Sequence, residues 1–131
     1  MSNVEFSYLY RDGGNCKNRG TVVFSNSGEI SVGAAEGDLR QHFLEDGLFI
    51  ASQIRVPEVF LFAGGRFSSD DHCYHEFDGI RSTTRSADDT LHRSIGEFLA
   101  EVDREAHRGW RLFDPYDSKG SYGFLLASRV L

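Results

Sequence analysis

The sequence predicts an α+β fold, in which two helices pack on one face of a mainly antiparallel sheet of four to six strands. The first observation is a hairpin signature, since aromatic and β-branched runs at residues 4–11 and 21–25 flank a loop rich in Gly and Asn. The second is helical spacing of apolar residues at 34–46 and 86–107. Shorter strand-like runs lie between these segments, so the predicted order is β-β-α-β-β-β-α. In an alternative order, one more strand follows the second helix.

The length of 131 residues indicates a single domain spanning residues 1–131. The chain contains 11 Phe and only one Trp, so we expect a core built mainly from Phe. Residues 115–131 combine turn residues with an apolar run, and they are expected to form a C-terminal strand or an extension.

The first two strands and the first helix follow from simple patterns. Alternate positions of residues 4–11 carry large apolar side chains that predict one buried face. In the predicted helix at 34–46, Ala35, Leu39 and Phe43 recur at i, i+4 and i+8, and Gly47 provides the stop.

The middle of the chain predicts three more strands. Residues 48–54 form an apolar run, Pro57 interrupts, and residues 59–62 form another apolar run. Residues 72–84 then alternate in polarity, with Gly79 as the expected site of a β-bulge.

The second helix is predicted over residues 86–107. Ser86 and Asp89 resemble a capping box with Asp in place of Glu, and Gly109 is the expected C-terminal cap. The predicted buried face consists of Leu91, Ile95, Phe98, Leu99, Val102 and Ala106.

The net charge of −6 argues against duplex nucleic acid as a partner, because binding phosphates requires clustered Lys and Arg. The charge is uneven, with a net +1 in residues 1–27 and −7 in the remainder. A protein is therefore the expected partner.

The cysteines and the apolar runs indicate a cytoplasmic protein with no membrane association. Cys16 and Cys73 form no CxxC motif, the chain opens without a secretory leader, and no apolar run approaches about 20 residues.

The hairpin loop is one predicted contact surface. Its Gly and Asn residues allow sharp turning, and it carries the only basic cluster on an acidic chain. It lacks the Gly-Lys-Ser/Thr ending of a phosphate loop and precedes a strand, which favours binding over catalysis. The expected binding residues here are Arg11, Asn15, Lys17 and Arg19.

Acidic residues form a second predicted contact surface. Its expected binding residues are Asp70, Asp71, Glu76, Asp88 and Asp89, with Asp78 nearby. The exposed face of the second helix is expected to add Glu97, Glu101, Asp103 and Glu105. If continuous, this surface could mimic nucleic-acid phosphates; otherwise it is a solvated face.

No complete catalytic set is recognised, so we assign no catalytic residue and expect no cofactor. The alternative is a hydrolase-like cleft, which requires the hairpin loop to lie within reach of the two histidines. Its members would be Arg11, Asp12, His72, His75 and Glu76. A cysteine nucleophile, Cys16 paired with one of those histidines, is a weaker variant.

A metal site in residues 70–78 is a further alternative. Neither face of this strand offers more than two ligands, so a site would need His42, His92 or His107 from elsewhere. We therefore predict no metal.

Three segments resemble a group of small uncharacterised bacterial proteins: Tyr10-Arg11-Asp12-Gly13-Gly14-Asn15-Cys16-Lys17-Asn18, residues 49–58 and residues 70–77. The resemblance covers residues 4 to about 114. It implies a bulky aromatic at the position of Cys16, which disfavours a catalytic thiol there. It implies a bacterial or phage setting and no mechanism.

The expected function is that of a small acidic binding protein acting through protein–protein contact. An inhibitor or regulator, such as a phage anti-CRISPR protein, is the concrete version of this hypothesis. One alternative is the hydrolase-like enzyme, and another is a homodimeric structural module in which residues 122–131 complete a neighbour's sheet.

Overall fold

The computed structural model describes residues 2–61 and 71–114, and the predicted element at 115–131 lies outside them. Two helices and a four-stranded antiparallel sheet of order β2-β1-β4-β3 confirm the predicted α+β class. The elements are β1 (Asn3–Arg11), β2 (Lys17–Phe24), α1 (Val32–His42), β3 (Leu48–Phe49), β4 (His75–Thr83) and α2 (Ile95–Arg108).

The β1–β2 hairpin is confirmed, with a shorter loop than predicted. Pairing runs from Val4 with Phe24 to Arg11 with Lys17, so β2 begins at Lys17, four residues before the predicted start. The connection is reduced to residues 12–16. Lys17 and Arg19 therefore lie on a strand, where their backbone is held by β1.

Strand β4 contains the predicted bulge next to Gly79. Ser7 of β1 pairs with Gly79, but the next residue, Tyr8, pairs with Phe77. Asp78 is thus the extra residue opposite β1. The strand begins at His75, three residues later than predicted.

The core is rich in Phe, as predicted. The ring of Phe6 lies at the centre and is within 6.3 Å of its aromatic neighbours, measured between centroids. These neighbours come from the sheet, from the end of α1 and from α2: Tyr8, Phe43, Phe49, Phe77 and Phe98. Both helices therefore pack on the sheet face that presents Phe6.

Helix α1 starts earlier and ends earlier than predicted. The Ser31 side chain accepts a hydrogen bond from the backbone N–H of Ala34 and caps the helix, which begins at Val32, two residues before the expected start. Phe43 is already extended, with φ −74° and ψ 160°, and its ring enters the core. The predicted stop, Gly47, lies instead in a short 3₁₀ turn at Glu45–Gly47.

The predicted strand at 48–54 is wrong beyond Phe49. Ala51–Ile54 form a 3₁₀ turn that ends at Arg55, whose φ of 56° is left-handed. This turn buries both Ala51 and Ile54, three residues apart, on one side. An extended chain would send these two side chains to opposite faces. Residues 59–61, predicted to begin a further strand, belong to no strand either, and residue 62 lies outside the described residues.

Helix α2 begins at Ile95, nine residues later than predicted. A complete capping box at Ser94 and Glu97 starts the helix, and Gly109 ends it with φ 92°, as expected. Residues 86–94 instead run along the edge of β2. There Val23 N–H donates to Asp88 Oδ1 over 2.7 Å, and Asp88 N–H donates to the Val23 carbonyl over 2.9 Å. The predicted face is buried at Ile95, Phe98, Leu99 and Val102, whereas Leu91 is exposed.

A buried ionic network joins the segment before α2 to the 3₁₀ turn at Ala51–Ile54. Arg93 donates to both carboxylate oxygens of Asp89 and to one oxygen of Glu101. It also donates to the carbonyls of Ile54 and Arg55. The Arg55 side chain completes the network with two hydrogen bonds to Glu101. Glu101 is therefore buried, not exposed as predicted.

Candidate functional site

The loop between β1 and β2 is held in one conformation by Asp12. Its Oδ1 accepts hydrogen bonds from the backbone N–H groups of Gly14 and Cys16, each 2.9 Å long. The backbone closes the turn with bonds from Asp12 N to Cys16 O and from Asn15 N to Asp12 O. Asn15 takes a left-handed φ of 68°, which Asn tolerates better than most residues. Asp12 is thus a turn residue.

Arg11 connects this loop to β4. Its guanidinium makes two parallel hydrogen bonds of 3.1 Å to the Glu76 carboxylate and another bond to the Asn15 side chain. The hydrogen bond to Glu76 raises the pKa of Arg11. Arg19 makes a similar link, 2.8 Å long, to Asp78. Two of the three predicted basic groups are therefore paired across the sheet.

The braced loop and the first three residues of β2 are nevertheless presented to solvent. Residues 13–19 are all exposed, and they include Asn15, Lys17 and the free thiol of Cys16. Among the described residues, none forms an ion pair with the Lys17 ammonium. Lys17 is thus a cation on a rigid support that is available to a partner.

His72 lies directly beside this loop. Its Nε2 is 2.7 Å from the carbonyl oxygen of Arg11, and its Nδ1 is 3.0 Å from the backbone nitrogen of Tyr74. A carbonyl can only accept and a backbone N–H can only donate, so Nε2 carries the proton and Nδ1 is the acceptor. Both nitrogens are engaged by backbone groups, which makes His72 a link between segments.

His75, the other predicted histidine, is buried in the core. It is 1% exposed, and its Nε2 accepts a hydrogen bond of 2.9 Å from Val59 N–H. Burial, assisted by the neighbouring His72, lowers the pKa of His75 to about 3. The ring sits against Phe60, with centroids 4.6 Å apart in an edge-to-face arrangement. His75 is therefore a neutral core residue.

An open cleft runs past the Arg11–Glu76 pair. One half, of about 690 Å³, is lined by charged residues of both signs, including Arg40, Glu45 and Asp46. The other half, of about 400 Å³, is walled by Asp12, Leu48, His72 and Tyr74. Arg11 and Glu76 line both halves. The cleft thus gathers Arg11, Asp12, His72 and Glu76, as the hydrolase-like alternative requires, but not His75.

The predicted acidic residues are scattered and engaged in internal hydrogen bonds. Asp71 accepts a bond of 2.7 Å from the Tyr10 hydroxyl, which contributes with burial to raising the pKa of Tyr10. Asp88 holds the edge of β2, and Asp89 is buried against Arg93. Asp70 lies outside the described residues.

Helix α2 presents a smaller acidic surface than predicted. Glu105, expected to be exposed, is 6% exposed and pairs with Arg108 and Arg111. Together with the buried Glu101, this removes two of the four carboxylates expected on that face. Glu97 is exposed, but one of its oxygens caps the helix through Ser94 N–H.

Sequence reasoning named His42 and His107 only as possible extra ligands for residues 70–78, and it missed their grouping with Asp103. His42, Asp103 and His107 converge where the end of α1 meets α2, with one potential ligand atom from each within 4.8 Å of the others. Asp103 and His107 have the i, i+4 spacing that places them on one helix face, a signal that was readable in the sequence. The approach of His42 depends on how the helices pack.

The cleft offers little for acid–base catalysis. A general base must have a lone pair within reach of its substrate, and backbone groups engage both ring nitrogens of His72. Asp12 Oδ1 holds the turn, and the Glu76 carboxylate is paired with Arg11. The exposed groups of the loop are instead suited to contact.

Comparisons with protein-family models, with curated proteins and with solved structures give no match to this chain. The resemblance to small bacterial proteins therefore stays a prediction. None of the helices in the described part of the chain is both long and apolar enough to cross a membrane.

Proposed function

We propose that this chain is a protein-binding domain, an inhibitor or regulator, whose β1–β2 loop docks on an acidic surface of a partner protein. The observation that carries the proposal is that residues 13–19 are exposed while their backbone and flanking arginines are braced internally. A loop held in its bound shape loses little conformational freedom on association, so more of the contact energy appears as affinity.

The two cations at the start of β2, next to the loop, support an acidic partner surface. Lys17 has no ion-pair partner among the described residues, and Arg19 is paired with Asp78 only at the surface, where its side chain is 60% exposed. A surface pair of this kind is worth little and can be exchanged for a partner's carboxylate. Attraction between opposite charges would also accelerate association at low salt.

A phage inhibitor of a nucleic-acid-processing complex is a narrower version of this proposal. Such an inhibitor would use carboxylates that imitate phosphates. Fewer observations support this version than support docking through the loop. Asp71, Asp88 and Asp89 each accept hydrogen bonds from within the domain. The loop is therefore the first surface to test.

The test is a comparison between loop and control variants as immobilised baits in bacterial lysate. We expect wild-type protein and Arg104→Glu to retain the same protein, and Lys17→Glu to lose it. Arg104 is an exposed cation on α2, so both substitutions change the charge equally. The retained protein is then purified, and its affinity is measured by calorimetry at two salt concentrations.

We expect Lys17→Glu to weaken the purified complex by about tenfold or more, and higher salt to weaken the wild-type complex. Failure to retain any protein at micromolar bait, or equal losses for Lys17→Glu and Arg104→Glu, would count against the proposal. Binding of Lys17→Glu at the wild-type affinity would also count against the proposal.

A further inference from the structure

The carboxylate of Asp103 lies between two imidazole rings at the contact of α1 and α2. Its Oδ1 is 3.0 Å from Nε2 of His42 and 2.8 Å from Nδ1 of His107. The oxygen is shielded from solvent, yet no described group gives it a hydrogen bond of acceptable geometry. Two imidazole nitrogens thus lie within 3.0 Å of one carboxylate oxygen.

The potential ligand atoms of the three side chains lie within 4.8 Å of one another, a spacing that is compatible with a shared metal ion. In a tetrahedral zinc site the lone pair of each ligand atom points at the ion. Bonds of about 2.0–2.1 Å then place neighbouring ligand atoms about 3.3 Å apart. The separations of 2.8 and 3.0 Å need to open only slightly. His107 is 76% exposed at its side chain and has room to adjust.

The other ring nitrogen of His42, Nδ1, already makes the kind of hydrogen bond that is usual for a metal-bound histidine. Its Nδ1 lies 2.8 Å from the Asp38 carbonyl oxygen, so Nδ1 donates and Nε2 keeps the lone pair. A histidine that ligates a metal usually donates its other N–H to a carbonyl or carboxylate, which fixes the ring and increases its basicity. The lone pair of His42 therefore faces the Asp103 carboxylate, an arrangement that a cation between them would stabilise.

We propose that His42, Asp103 and His107 form a site for a divalent transition-metal ion, with Zn²⁺ as the reference ion and a fourth position open to water or an external ligand. Two imidazoles and one carboxylate suit Zn²⁺ and its neighbours in the first transition row, and they do not suit Mg²⁺ or Ca²⁺, which prefer oxygen ligands. Coordination by His107 Nδ1 would replace its present hydrogen bond of 2.9 Å to the Asp103 carbonyl.

The bound ion would join the C-terminal residue of α1 to the last turns of α2. His42 is the final residue of α1, and its carbonyl already accepts a hydrogen bond from the Trp110 indole. An ion that binds only the folded chain stabilises it by mass action. The site would thus hold the two helices together and still offer one coordination position.

The test measures Zn²⁺ binding by isothermal titration and by the shift in melting temperature, using protein purified without a polyhistidine tag. We expect one ion per chain and a higher melting temperature. His42→Ala, Asp103→Asn and His107→Ala should each weaken binding by at least about tenfold. Co²⁺ in place of Zn²⁺ should give the visible absorption of a tetrahedral site.

Two control variants test whether Zn²⁺ binds instead to another exposed histidine or to the exposed thiol. His92→Asn replaces an exposed histidine at a left-handed backbone position that Asn tolerates, and Cys16→Ser removes the exposed thiol. Both should bind like the wild type. The melting temperature of His107→Ala without metal should equal that of the wild type, because the side chain is mostly exposed.

Absence of binding at millimolar Zn²⁺, or undiminished binding in any one of the three ligand variants, overturns the three-ligand site. Loss of binding in Cys16→Ser or His92→Asn would place the ion elsewhere and also overturn it. None of these outcomes depends on the proposed protein partner.

Discussion

Arg93 and Asp89 form a buried two-pronged ion pair, with hydrogen bonds of 2.9 and 3.0 Å between the guanidinium and the carboxylate. Burial raises the pKa of Asp89, but the hydrogen bonds and charge of Arg93 outweigh burial and hold that pKa below its ordinary value. Both residues are less than 8% exposed. Removing the Asp89 charge would leave the buried Arg93 with Glu101 as its one remaining carboxylate partner among the described residues, and Glu101 is shared with Arg55.

We therefore expect Asp89→Asn to lower the free energy of unfolding by about 3 kcal/mol or more, measured by urea denaturation. Asp78→Asn is the control, because the Arg19–Asp78 pair is exposed, and it should cost less than about 1 kcal/mol. Equal effects of the two variants would mean that the buried network contributes no more than a surface pair.

The buried His75 makes stability depend on pH. Its pKa is about 3 in the folded chain and near 6.5 when unfolded, so between these values only the unfolded state binds the proton. The neutral His75 contributes fully to the free energy of unfolding above about pH 6.5. This contribution is lost as the pH falls toward 3, with a slope approaching about 1.4 kcal/mol per pH unit.

His75→Gln should therefore show a shallower loss of stability between pH 6.5 and 4 than the wild type, measured by chemical denaturation at each pH. Gln keeps an acceptor for Val59 N–H, and His92→Asn serves as a control that should retain the wild-type slope. The same slope in His75→Gln and wild type would refute the role of His75.

The start of α2 can be tested by its cap. Ser94→Ala removes the oxygen that accepts from Glu97 N–H, and it should cost about 1 kcal/mol of stability. Ser86→Ala, at the start predicted from sequence, should change stability by less than about 0.5 kcal/mol because Ser86 is exposed and outside the helix. Thermal or urea unfolding of both variants decides between the two starts.

Gly20 has no room for a side chain. An added Cβ would lie 2.8 Å from the Tyr8 ring, which is 1% exposed and anchored by its hydroxyl to the Pro57 carbonyl. Gly20→Ala should destabilise the fold by about 1–3 kcal/mol. Gly37→Ala, in an open position within α1, should stabilise it by about 0.5–1 kcal/mol. A neutral Gly20→Ala would show that the Tyr8 ring can move aside.

The hairpin and the apolar face of α2 were predictable because each depends on a short pattern with a clear period. The errors arose where a local signal had a stronger tertiary competitor. Ser86 and Asp89 look like a cap, but Asp88 binds β2 and Asp89 binds Arg93, which holds that segment away from the helix. Likewise, residues 51–54 read as a strand, although core packing favours a helical turn.

The candidate site was predictable in part. Sequence placed Arg11, Asp12, His72 and Glu76 as a set, and the structure brings them into one cleft. It could not show that both nitrogens of His72 are taken by backbone groups, nor that His75 faces the core. The orientation of His75 depends on the register between β1 and β4, which shifts at the bulge at Asp78.

The contact between Asp88 and Val23 has a consequence for biosynthesis. Within the described residues β2 is an edge strand, and the segment that blocks its edge at Val23 follows 65 residues later in the chain. Until that segment has left the ribosome and folded back, the unpaired backbone of β2 is open to other nascent chains. Lys17 and Arg19, at the far end of the same edge, would repel copies of this chain during that interval.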